Sequence, residues 1–265
     1  MKLSIKSLLP HLVALVLFVV LPSIYFSPLY DGYALKQSDI RQFQGMSKEI
    51  FDYKLTHDGQ QPSWTNAMFS GMPAYQISVL YPNNLVSYVN KVLLLGFPEP
   101  YGYVLLSLLG FYLLLLCFKL DWRMAAAGAI AYAFSSYNFI ILMAGHNSKL
   151  HAIALMPFVV AGVVMVFNGR YLFGGAVTAM GLALQIYANH LQITYYLAIG
   201  LVILGVVQFF KHLKGGLLGS FMKAAITLVI AAGLAILPNI TSLWATMEYG
   251  KDSTRGPSEL TDKKV

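Results

Sequence analysis

Charge is scarce in this sequence: 11% of its 265 residues are Asp, Glu, Lys or Arg, against 57% hydrophobic. A soluble globule has nowhere to hide that much apolar surface, so the composition points to a membrane protein. Cysteine is scarcer still. The single Cys117 falls inside an apolar run, which excludes a disulfide framework and a CxxC metal knuckle and says nothing about compartment. Walker A, GxSxG, HExxH and EF-hand patterns are all absent, and with them the familiar signatures of nucleotide, ester, zinc-peptidase and calcium chemistry. The net charge of +7 comes from basic residues scattered over short connections. Without a basic stripe it argues for a topology signal and not for a nucleic-acid partner.

What the chain does have is apolar runs of about 20 residues, the length that crosses a bilayer at ~1.5 Å per helical residue. Seven are expected, at 8–26, 101–118, 124–143, 152–167, 171–188, 191–210 and 224–243. All must be helical, because hydrocarbon leaves no partner for an exposed backbone. Gly128, Gly162, Gly181 and Gly200 are expected to let neighbouring helices approach closely. The first run follows Lys2 and Lys6, and no small-x-small cleavage site closes it, so it reads as an uncleaved span.

Placing the N-terminus inside puts 1–7, 119–123, 168–170 and 211–223 in the cytoplasm, where about 28 residues carry 8 of the 18 Lys and Arg. That density is nearly three times that of the opposite side, the direction the positive-inside rule expects. All acidic residues except Asp121 then fall outside, together with two polar clusters at 145–151 and 189–192. The expected location is the cytoplasmic membrane, multi-pass, with an extracytoplasmic active face.

The large first outer segment, 28–100, carries most of the candidate chemistry. Pro28-Leu29-Tyr30-Asp31-Gly32 reads as a turn. Ile40, Phe43, Met46, Ile50 and Tyr53 then recur at helical spacing behind Ser38 as N-cap, predicting an amphipathic helix on the membrane surface or on the bundle. A second interfacial helix is expected within 83–95. The whole chain, 1–265, is read as a single transmembrane module, and the polar tail 244–265 as the start of a further C-terminal part.

Asp39 has two readings. A carboxylate in the first turn of a helix is stabilised by unpaired N–H groups, and the same carboxylate at a membrane edge is a candidate general base. His146, Asn147, Lys149 and His151 gather cationic and hydrogen-bonding groups that suit a phosphate, although a helix hairpin needs polar interfacial residues in any case. His146 and His151 are five apart, so they are not a helical metal pair, and no metal site is assigned. Asn189, His190 and Gln192 read either as helix-end hydrogen bonders or as part of the same binding face. Trp64, Asn66 and Tyr75 suit a sugar, with flat rings for a pyranose face and an amide for hydroxyls, or else belong to an aromatic belt. Lys251 and Arg255 are candidate anion binders, although charges in a polar outer segment are usually solvated, and Arg41 is a candidate substrate-binding residue.

Several motifs occur in order: Leu9-Pro10-His11, Gln37-Ser38-Asp39, Trp64-Thr65-Asn66-Ala67-Met68-Phe69-Ser70-Gly71-Met72-Pro73, Ala144-Gly145-His146-Asn147-Ser148-Lys149, Asn189-His190-Leu191-Gln192-Ile193-Thr194-Tyr195-Tyr196 and Thr254-Arg255-Gly256. Together they resemble the N-terminal part of YfhO-type bacterial membrane proteins, which are related to the GT-C glycosyltransferases. The resemblance implies an all-α polytopic GT-C-like fold. It also implies inverting transfer of a sugar from a polyprenyl-phosphate carrier to a glycan or lipid acceptor of the cell envelope. The family's acidic residue in the first outer loop corresponds to Asp39. Membrane lipids are implied partners, and a divalent cation is left open as cofactor.

Two other classes compete. A lipid or solute transporter or flippase that couples to ions keeps ionisable residues near mid-membrane, and here no Asp, Glu, Lys, Arg or His falls in the middle of an expected span. A non-catalytic membrane scaffold needs no reactive cluster at all.

Overall fold

The computed structural model describes residues 5–78, 81, 83–251 and 253. In chain order its helices are α1 (Ile5–Tyr25), α2 (Ser27–Tyr30), α3 (Ser38–Thr56), α4 (Val86–Leu93), α5 (Glu99–Cys117), α6 (Trp122–Ala133), α7 (Ser136–Ala144), α8 (Asn147–Phe167), α9 (Tyr171–Tyr187), α10 (Leu191–Lys214), α11 (Leu218–Ile236) and α12 (Ile240–Lys251). Two short strands, β1 (Trp64–Thr65) and β2 (Met72–Pro73), pair antiparallel between α3 and α4. The protein is an all-α, membrane-embedded polytopic chain.

Among the described residues, six helical stretches are long and apolar enough to cross a membrane: Lys6–Tyr25, Glu99–Cys117, Trp122–Ala144, Asn147–Phe167, Leu191–Lys214 and Leu218–Lys251. The remaining expected span, 171–188, is a helix of 17 residues, about 26 Å long against a hydrocarbon core of about 30 Å.

Two of the expected spans are broken, and in each a buried amide takes over the freed backbone. The 124–143 run divides at Phe134 and Ser135, where Asn138 Nδ2 donates to the carbonyls of Tyr132 at 2.9 Å and Ala133 at 3.3 Å. The 224–243 run is interrupted by a 3₁₀ turn, Leu237–Asn239, before α12 resumes it at Ile240, because Pro238 brings no N–H to continue the ladder. There Asn239 Nδ2 donates to Ala183 and Ala235 carbonyls at 3.0 and 3.2 Å, and its Oδ1 accepts from Asn84 at 3.1 Å.

α8 is the axis of the bundle, packed along α5 on one side and α9 on the other. With no hydrophobic drive between helices in lipid, small residues and hydrogen bonds must hold them. A Cβ on Gly162 would stand 2.4 Å from Thr178 Oγ1, and one on Gly174 would stand 2.8 Å from the Gly162 carbonyl, so α8 and α9 meet backbone to backbone. Gly128 and Gly181 are also at close approaches, against Leu115 and Val159. Gly200 is the exception and faces open space. Pro157, inside α8, cannot donate to Ile153, and the Tyr132 hydroxyl of α6 donates to that carbonyl at 2.9 Å instead.

α1 is tied to α5 at two stations. His11 Nδ1 lies 2.7 Å from Tyr112 Oη, and Tyr101 Oη donates to the Val19 carbonyl at 2.7 Å with Ser23 Oγ 3.0 Å away. α10 is the most peripheral span and presents Val202, Ile203 and Val207 outward, as a hydrocarbon-facing helix should. α4 seats Val86 against Leu155, Ala183 and Leu184, roofing the α8–α9 pair.

Candidate functional site

The break between α7 and α8 is where the polar residues collect. Gly145 ends α7 in the left-handed region, φ 99°, which a Cβ disfavours. Space excludes a Cβ as well: it would lie 3.1 Å from both Asp39 Cβ and Ile40 N. The start of α3 therefore rests directly on Gly145.

Gln37 locks that contact. Only 7% exposed, it donates through Nε2 to the Leu142 carbonyl at 2.6 Å and to Asn147 Oδ1 at 2.9 Å, and accepts from Asn147 Nδ2 at 3.5 Å. Ser38, expected as an N-cap, is instead the first helical residue, preceded by Gln37 in extended conformation. Its hydroxyl is drawn to the end of α7, with 3.3 Å to the Ala144 carbonyl and 3.3 Å to Asp39 Oδ1.

This docking brings Asp39 Oδ2 to 3.3 Å from His146 Nδ1, with the two side chains 43% and 50% exposed in the order Asp39, His146. The carboxylate thus has one oxygen toward Ser38 and the other toward an imidazole, both open to solvent. Lys149, three residues along α8, holds its ammonium 5.3 Å from the Tyr137 ring centroid. His190, the residue before α10, is held below the usual histidine range by partial burial first, and then by the charges of Lys149 and His146. Burial and these neighbours thus favour its neutral form. One carboxylate, two imidazoles and one ammonium from α3, α8 and the α9–α10 turn thereby share one end of the bundle.

The other expected site residues lie elsewhere. His151 is turned inward, 4% exposed, and stacked on Tyr103 with ring centroids 4.6 Å apart. Among the described residues its Nε2 has no hydrogen-bond partner, and neither does Oε1 of Gln185, whose Nε2 donates to the Ala152 carbonyl at 3.1 Å. Asn189 is exposed with φ 55°. Gln192 spends its amide on Tyr196 of its own helix at 2.8 Å. Arg41 is exposed on α3, and Arg255 lies outside the described residues.

The aromatic loop does not join Asp39. Asn66 is engaged through its backbone N–H by Glu49 Oε2 at 2.9 Å, and Thr65 Oγ1 donates to the same oxygen at 2.7 Å. Glu49 stands ten residues along α3 from Asp39, about 15 Å on the helix axis. Trp64 lies over Gly71, where a Cβ would be 2.7 Å from the indole nitrogen. Tyr75 neighbours Tyr81, which reaches Ser242 of α12.

Sequence reasoning passed over Glu49, whose carboxylate is held below the usual glutamate range mainly by the Thr65 hydroxyl. It sits on the polar face of an amphipathic helix, where acids are ordinarily just solvated, so no signal marked it. Gln37 was visible only as part of a motif. Among the described residues, no three of His, Cys, Asp and Glu converge as metal ligands. Comparison with family models, curated proteins and solved structures found no match to this chain.

Proposed function

We propose that this protein is a membrane glycosyltransferase of GT-C-like architecture, inverting, that moves a sugar from a polyprenyl phosphate to an acceptor hydroxyl at the outer face of the cytoplasmic membrane. In this reading α9 is the seventh span, and the segment from α2 to α4 is an outer loop folded back on the bundle. The observation that carries the proposal is the seating of Asp39 against His146, with Lys149 and His190 at the same end. The resemblance of the ordered motifs supplies the substrate class.

The chemistry asks for little. A carboxylate oxygen of Asp39 takes the acceptor hydroxyl proton as the hydroxyl oxygen bonds to the anomeric carbon. The bond from this carbon to the carrier phosphate oxygen breaks, and the phosphate departs with the electron pair. Attack opposite the leaving group inverts the centre. The Lys149 ammonium and a hydrogen bond from the His146 imidazole meet the charge that develops on the phosphate. A phosphate leaving group removes the need for a second carboxylate of the kind glycosidases use. His190, near Lys149 and His146, is available to hydrogen-bond the acceptor or the phosphate.

Asp39→Asn is expected to lower transfer from a polyprenyl-phosphate sugar by about 10²–10⁴-fold, the usual worth of a positioned base, with membrane insertion and accumulation unchanged. Transfer at the wild-type rate in that variant refutes the assignment. Lys149→Ala is expected to weaken use of the carrier donor selectively.

A further inference from the structure

At the opposite end of the bundle, two adjoining open clefts of about 320 and 250 Å³ share Cys117, Lys119 and Asn168 as walls. Arg170 borders the first, and Gln208 and Lys211 border the second. Arg170 is near enough to Cys117 to act on its thiol electrostatically. Three cations, Lys119 from the α5–α6 connection, Arg170 from the α8–α9 connection and Lys211 from the last turn of α10, therefore border the two adjoining clefts. No carboxylate lines either cleft, and among the described residues none of the three cations is in an ion pair. The acid next in sequence, Asp121, is occupied as the N-cap of α6 through the Arg123 N–H at 2.9 Å.

Lys119 and Lys211 also sit at helix C-terminal ends, where a cation favours unpaired carbonyls, whereas Arg170 is the N-cap of α9. That role does not require a recess between them. The second cleft includes an apolar gap between α8 and α10, walled by Val164 and Leu204, and is bordered by Phe118. A small soluble anion would leave that gap unfilled, whereas an acyl chain matches it.

We propose that this recess is a binding site for an anionic phospholipid. Its phosphate lies among Lys119, Arg170 and Lys211, Asn168 and Gln208 donate to its oxygens, and an acyl chain lies along Val164 and Leu204. The lipid then fills the seam that joins peripheral α10 to the α5–α8 core. The site is separate from the Asp39 cluster and does not rest on the proposed activity.

The test uses the full chain purified in mild detergent, with lipid retention read by native mass spectrometry after equilibration with equimolar phosphatidylglycerol and phosphatidylcholine. Phosphatidylglycerol is expected to be retained preferentially. Affinity is expected to fall about fivefold for each of Lys119→Gln, Arg170→Gln and Lys211→Gln, and about 100-fold for the three together. The single variants keep the test readable if the triple variant fails to fold. Lys223→Gln, which removes an exposed cation of α11 outside the clefts, is expected to change nothing. Equal retention of both lipids, or unchanged affinity in the single variants, overturns the site. Displacement of the lipid by millimolar inorganic phosphate overturns the lipid assignment in favour of a soluble phosphate.

Discussion

The pairing of Pro157 with Tyr132 makes a quantitative prediction. A proline within α8 leaves the Ile153 carbonyl without its helical donor, and the Tyr132 hydroxyl takes that place at 2.9 Å. Tyr132→Phe keeps the ring, which stacks on Phe111 with centroids 4.4 Å apart, and removes only the donor. The buried carbonyl is then orphaned, at a cost of about 1–2 kcal/mol. In a Pro157→Ala background the backbone N–H gained by the substitution reaches the Ile153 carbonyl by the ordinary i to i−4 bond. The hydroxyl becomes a second donor to an already satisfied oxygen, and its removal should cost about 0.5 kcal/mol or less. The double-mutant cycle therefore predicts a coupling of about 1 kcal/mol between the two positions. Reversible unfolding of all four proteins in mixed micelles measures it. If Tyr132→Phe costs the same with proline and with alanine at the α8 position, the hydroxyl is not standing in for the missing donor.

Two further outcomes follow from the loop and the α7–α8 break. Gly145→Ala forces a Cβ into a left-handed residue packed 3.1 Å from Asp39 Cβ. It should cost about 1–2 kcal/mol and expose α3 to limited proteolysis; an unchanged cleavage pattern contradicts the seating of α3 on Gly145. Glu49 is a carboxylate held below its ordinary range, mainly by Thr65. Its stabilisation is therefore complete above the unfolded value of about 4.3 and is lost as pH falls through the lower folded value. Hydrogen-exchange protection of the Asn66 amide, corrected for intrinsic rate, should drop under acid in the wild type and lose this pH dependence in Glu49→Gln.

Hydropathy finds membrane helices because the bilayer imposes a length and forbids unsatisfied backbone, so α1, α5, α8 and α10 were legible. The period of α3 was legible too: Ile40, Phe43 and Ile50 turn inward, while Tyr53 turns out to stack on His57 with ring centroids 3.8 Å apart. The breaks at 134–135 and 237–239 were not, because a buried amide from Asn138 or Asn239 compensates the lost bonds and hydropathy carries no trace of it. Gly162 and Gly200 look alike in sequence, yet only the first meets a neighbour, since which face of α10 turns inward is decided by tertiary packing. Within the site, the type of residue was readable and the pairing was not. Asp39 and His146 are 107 positions apart, and the docking of α3 on the α7–α8 break, through Gly145 and the Gln37 hydrogen bonds, joins them. Trp64 and Asn66 were candidates for recognition by residue type, but a local carboxylate, Glu49, engages the Asn66 backbone, ten residues along α3 from Asp39.

The two stations that fasten α1 to α5 set a condition on how the chain is made. His11 and its partner Tyr112 are separated by 101 positions, so at a synthesis rate of about 5–20 residues per second the histidine waits roughly 5–20 seconds for its hydroxyl. During that interval the first helix carries an imidazole with no partner from the finished bundle, in a medium that penalises it. Docking of α1 at this station thus belongs to the arrival of α5. A cell that slows translation between them lengthens the period in which the nascent chain depends on the insertion machinery to shelter that ring.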